Sequence, residues 1–298
     1  MRRLLQLILI TALLVGGPAK IGAAAKPLAV FVSLPPQADF VQKIGGAHVN
    51  VQLPAKGGQD PHTFEPTPRD ILALARADIF FTSNLPFEKQ LVNKIKDRAN
   101  GPIIIDIAAG FAEYALHPAP EPATHRHHGH DEQHEEDDPH SWLSPILLVP
   151  MAENIHQALV NADPQHKADY DANLSRLITE INTLHDRLKR QLAPFKGRSF
   201  YVFHPAFGYF AATYGLKQQA VETGGKSPSP RQLAALISQA RADGVKIIFT
   251  QPQFDKSSAA TIARAINGVV TPMDPLAGDV LANLKQIADA IEQALGHR

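Results

Sequence analysis

Fourteen histidines and no cysteine define the metal chemistry open to this chain: imidazole nitrogen and carboxylate oxygen are available, thiolate is not. Histidine is densest in HRHHGHDEQHEEDDPH, residues 125–140. Most of that run, with His125, His127, His128, His130 and His134, contains no apolar residue. It cannot bury surface to offset its ordering entropy, so a flexible loop over about 117–138 is predicted. Such a tract is expected to capture metal only as an accessory, because a site that must order itself on binding binds more weakly.

Four other segments place a metal-competent side chain beside proline: Asp60-Pro61-His62, Asp138-Pro139-His140, His204-Pro205 and Asp274-Pro275. Proline fixes φ, so a loop that carries a ligand there loses less entropy when it closes on an ion. His62, His140, His204 and Asp274 together make a three-nitrogen, one-oxygen set suited to tetrahedral Zn2+. A lone His-Pro or Asp-Pro is ordinarily a turn. The repeated Asp-Pro-His and the spread of the four over two halves of the chain favour the joint reading.

The elements that must position these residues alternate between strand and helix. Apolar runs at 28–33, 48–53, 78–83, 102–107 and 199–204 read as strands. Helices are predicted from about Gln37 to Ile44, ended by Gly45-Gly46, and from Pro68 to Ala77 behind the N-cap Thr67. The alternation argues for parallel sheets, and open α/β sheets bind ligands at the carboxyl ends of their strands. His204 and Asp274 follow the apolar runs SFYVF and NGVVTPM, where that rule puts a ligand. After the histidine tract, one helix is predicted from Pro145 to about Val160 and a longer one from about Gln165 to Leu192. In the longer one, Leu174, Leu177, Ile178, Ile181, Leu184, Leu188 and Leu192 recur at helical steps. At ~1.5 Å per residue it would span about 40 Å, enough to bridge two lobes.

TPRDILALARADIFFT, ending at Thr82, lies well beside SPRQLAALISQARADGVKIIFT, ending at Thr250. Both have a hydroxyl N-cap, proline at N1, a Leu/Ala-rich helix and a strand closing on Phe-Thr, which argues for internal duplication. The fold expected is therefore α/β: two related lobes with parallel sheets, bridged by one long helix, with the metal in the cleft between them. The lobes are placed at 26–145 and 195–298, with a helical region at 146–194.

Lys+Arg and Asp+Glu balance at 29 each, so nothing points to nucleic acid or an anionic membrane. Arg2-Arg3, the apolar run Leu4 to Val15 and Ala23-Ala24-Ala25 read as a cleavable signal peptide over 1–25. The apolar run is too short for a membrane span. With no cysteine at the cleavage point to take a lipid, a monomer in the periplasm without a direct membrane anchor is expected.

DPHTFEPTPRDILALARAD, DPHSWLSP, FHPAFGYFAATYGL, SPRQLAALI and MDPLAGD together resemble the metal-binding solute-binding proteins of zinc and manganese ABC importers, above all the periplasmic zinc-binding proteins with a His-rich loop. The resemblance implies ligands at His62, His140, His204 and Asp274, and a membrane permease as partner. Relatives with glutamate at the third position tend to handle manganese, so His204 is the zinc-type choice, and nitrogen-rich coordination favours Zn2+ on its own account. Gln251 is a departure, since many relatives carry glutamate there.

The reading is a binding protein rather than an enzyme, with Zn2+ as transported ligand. Four protein ligands close the coordination sphere, whereas a catalytic zinc keeps a position open for water. The alternatives are a manganese- or iron-type member of the same family, a zinc hydrolase with Glu65 as general base, or an adhesin on the same fold. No H-E-x-x-H is present to support hydrolysis.

Overall fold

A computed structural model describes residues 26–54, 61, 63–83, 85–95, 101–111, 138–222, 227–254 and 257–296. Two four-stranded parallel sheets carry the chain. In the first, β1 (Leu28–Val32), β2 (Val49–Gln52), β3 (Ile79–Thr82) and β4 (Ile103–Asp106) lie in the order β2-β1-β3-β4. In the second, β5 (Ser199–Val202), β6 (Lys217–Ala220), β7 (Ile247–Thr250) and β8 (Val269–Pro272) repeat that order as β6-β5-β7-β8. Identical topology in two lobes is what the internal similarity predicted.

The helices are α1 (Pro35–Gly45), α2 (Pro68–Leu74), α3 (Pro86–Ile95), α4 (Pro145–Ala162), α5 (Lys167–Leu192), α6 (Gly208–Tyr214), α7 (Pro230–Ala242), α8 (Ser257–Ala265) and α9 (Val280–Gly296). The matched segments start alike. Thr67 and Asp70 bond reciprocally at the head of α2, and Ser229 and Gln232 do the same at α7, so both helices open on a capping box. α2 is shorter than predicted. After Leu74 its last turn tightens, with the Arg76 and Ala77 amides bonding three residues back. α1 stops where Gly46 takes a φ of 56°, and a Cβ on Gly45 would sit 2.4 Å from the Val49 side chain.

The 26-residue α5 is the long helix predicted from periodicity. It packs on the neighbouring α4, on α1 of the first lobe, and on α6 and α9 of the second. Tyr170, Leu177, Ile181, Leu188 and Leu192 face inward, and one continuous apolar core runs along them from Phe31 and Phe80 to Phe200 and Phe210. A smaller core, with Tyr201, Ile248 and Ile262, lies on the other side of the second sheet. Among the described residues, no helix is long and apolar enough to cross a membrane.

At the carboxyl ends of β1 and β3 sits a buried carboxylate. Glu88 Oε2 accepts from the Ser83 and Leu85 amides at 2.8 and 2.9 Å. Its Oε1 and the Ser33 hydroxyl are both buried without a hydrogen bond of proper geometry. Burial raises the Glu88 pKa, and only partly do the Ser33 hydroxyl, those two amides and Gln37 pull it down. A carboxyl raised in the folded state contributes stability at low pH that is lost as pH rises through its folded value. A glutamine in place of Glu88 would keep both amide bonds and carry no charge to bury. Glu88→Gln is therefore expected to be more stable at pH 7–8 by about 1 kcal/mol or more, roughly 2–4 °C in Tm. The gain should shrink toward pH 4, and melting curves across that range check it.

Candidate metal centre

His204 stands two residues beyond β5 and Gln251 one beyond β7. Between β5 and β7 the strand order reverses direction, which is the crevice where open α/β sheets bind ligands. Gln251 is fully buried and brackets the His204 peptide: its Oε1 accepts from the His204 amide at 3.0 Å, and its Nε2 donates to the His204 carbonyl at 3.4 Å. The Phe254 ring stacks on the imidazole at 4.6 Å between centroids. Glu222, two residues past β6, places Oε1 2.6 Å from His204 Nδ1.

His140 arrives from the other side, at the head of the turn Ser141–Leu143 that leads into α4. Asp138 Oδ1 accepts from the His140 amide at 2.9 Å and lies 2.7 Å from its Nδ1. The Trp142 ring flanks the imidazole, and its Nε1 donates to the Pro275 carbonyl at 2.8 Å.

The two imidazoles thus share one arrangement. A carboxylate only accepts, so each Nδ1 is the donor, and in the neutral ring that leaves the Nε2 lone pair available to ligate an ion. The Nε2 atoms meet 3.4 Å apart, with both rings buried. Two nitrogens each about 2.0–2.1 Å from one tetrahedral ion are separated by about 3.3–3.4 Å. The spacing fits a shared cation.

Asp274 follows β8 by two residues. Its Oδ1 accepts from Gln253 Nε2 and from the Leu276 amide, each at 2.9 Å, and its carbonyl accepts from Asn283 Nδ2 at 2.8 Å. Among the described residues no three His, Asp or Glu side chains form a group able to hold a metal, so Asp274 does not join the imidazole pair there. His62 and the tract histidines His125, His127, His128, His130 and His134 lie outside the described residues. The proline-flanked motifs therefore bring together His140 and His204. Sequence reasoning missed Glu222, Gln253 and Phe254. The one available signal was position, since all three follow strands that flank or oppose the ligand strand.

Two parallel-sheet α/β lobes spanned by one long helix define a solute-binding architecture. Residues 30–294 match the family described as zinc-uptake complex component A, periplasmic, and the chain belongs to that family. It is 30% identical to the high-affinity zinc uptake system protein ZnuA of Bacillus subtilis (strain 168) over 265 residues, 84% of this chain and 79% of that protein. It is 28% identical to the zinc-binding lipoprotein AdcA of Streptococcus pneumoniae (strain ATCC BAA-255 / R6) over 243 residues, 81% of this chain. The match spans about half, 48%, of that relative's length. A crystal structure of ZnuA superposes with a TM-score of 0.81 at 35% identity, covering 90% of this chain and 99% of the other. A ZnuA deletion mutant with zinc bound superposes at 0.80, also at 35% identity, covering 90% and 98%.

Proposed function

We propose that this chain captures Zn2+ in the periplasm and delivers it to the membrane permease of a zinc ABC importer, performing no reaction itself. The observation that carries the proposal is the pair of buried Nε2 atoms 3.4 Å apart, each imidazole backed by a carboxylate. His62, His140, His204 and Asp274 are the proposed ligands, with Asp274 drawn toward the imidazole pair when the ion arrives. The lobes are taken as 26–145 and 195–298 on either side of the helical region 146–194, and the exported form as a monomer freed of residues 1–25. His125, His127, His128, His130 and His134 serve as an auxiliary trap. Family membership supports the permease as partner and the periplasm as location.

Imidazoles ligate only when deprotonated, so Zn2+ affinity is expected to fall below about pH 6. Calorimetric titration of the mature protein at several pH values tests this, and a pH-independent affinity would contradict it. Metal analysis of the purified protein, with growth of a deletion strain under zinc limitation, tests transport.

A further inference from the structure

We propose that Gln253 is a selectivity-determining positioning residue: it holds Asp274 to a single donor oxygen and so favours four-coordinate Zn2+ over Mn2+. The inference rests on the site proposed above.

Among the described residues, both hydrogen bonds to the Asp274 carboxylate fall on Oδ1, from Gln253 Nε2 and the Leu276 amide. The two donors differ in origin. The Leu276 bond is a local turn, from an amide two residues on. Gln253 reaches in from the loop after β7, 21 residues away in sequence. Its orientation is dictated by its target, because a flipped amide would set carbonyl oxygen against carboxylate oxygen. That orientation leaves Gln253 Oε1 buried with no hydrogen bond. An orphaned buried acceptor is ordinarily destabilising, so the contact it permits calls for a reason.

Coordination chemistry supplies the reason. An oxygen that accepts two such bonds has its lone pairs engaged, so the carboxylate can offer a metal only Oδ2. Zn2+ is satisfied by four ligands, with carboxylate oxygen in single contact. Mn2+ prefers oxygen donors and six-coordinate geometry, which a chelating carboxylate helps to fill. Locking Oδ1 removes that fifth donor. The same short loop also fixes His204, through Gln251 on its peptide and Phe254 on its ring. One loop after β7 therefore sets the geometry of two proposed ligands.

The test compares Gln253→Ala and the volume-conserving Gln253→Leu with the unaltered chain, using Zn2+ and Mn2+ competition against chelators and the visible spectrum of the Co2+-loaded protein. The ratio of Zn2+ to Mn2+ affinity is expected to fall about tenfold or more in both variants, within the range for residues that orient a ligand. The Co2+ bands should weaken from an intense four-coordinate pattern toward a five-coordinate one. Parallel changes in both affinities with an unchanged spectrum would overturn the inference, since a merely structural role, or a latch that holds Asp274 back, moves both metals together. His204→Ala run alongside separates the two levels of the argument: if it retains both metals and the original spectrum, the site itself is misplaced, whatever Gln253 does.

Discussion

Replacing His204 with alanine is expected to weaken Zn2+ binding about 100- to 1000-fold, one ligand's share of a four-ligand site worth roughly 10–16 kcal/mol. The loss exceeds that of an exposed imidazole because the pocket is specific to this ring. Gln251, Phe254 and Glu222 all act on His204, and a methyl group satisfies none of Glu222 Oε1, the stacking face or the ion. Deleting residues 125–134 should cost far less, since a tract that must order itself on binding holds metal more weakly. Competition against a zinc chelator measures both. If the deletion proves the more damaging change, the capture site lies in the tract and the assignment to His204 is wrong.

His140 and His204, which the structure brings together, could be picked out in the sequence by local chemistry. The tract has no apolar residue, whereas His140 and His204 sit against proline with Trp142 or Phe203 beside them. The fold was legible for similar reasons. α5 was predicted at about 165–192 and found at Lys167–Leu192, because its apolar positions keep one helical period throughout. α6 went unnamed. It is seven residues long and mostly buried, so no polar face marks its period. The supporting residues were hidden for a different reason. Glu222 is 18 residues from His204, and Gln253 is 21 from Asp274. Only the parallel register brings those strand ends together, and register cannot be read from either segment alone.

Glu222 is the second residue whose loss should tell. Glu222→Ala is expected to weaken Zn2+ binding about 10- to 100-fold, the usual cost of removing a carboxylate that orients a metal-bound imidazole. Without it, His204 Nδ1 loses the 2.6 Å partner that specifies which ring nitrogen faces the ion. Glu222→Gln should lose less, because the amide oxygen still accepts from Nδ1. An alanine variant with full affinity would mean that Phe254 and Gln251 hold the ring unaided.

Trp142 is the chain's one tryptophan. Its ring lies 5.3 Å from that of His140, and its indole N–H reaches the carbonyl of Pro275, the neighbour of Asp274. Indole emission shifts with the bonding of that N–H and with nearby charge. The molecule therefore carries a single internal lamp, mounted on the seam between the loop that bears His140 and the loop that bears Asp274. Whatever colour or intensity change its tryptophan emission shows on titration comes from that seam and nowhere else.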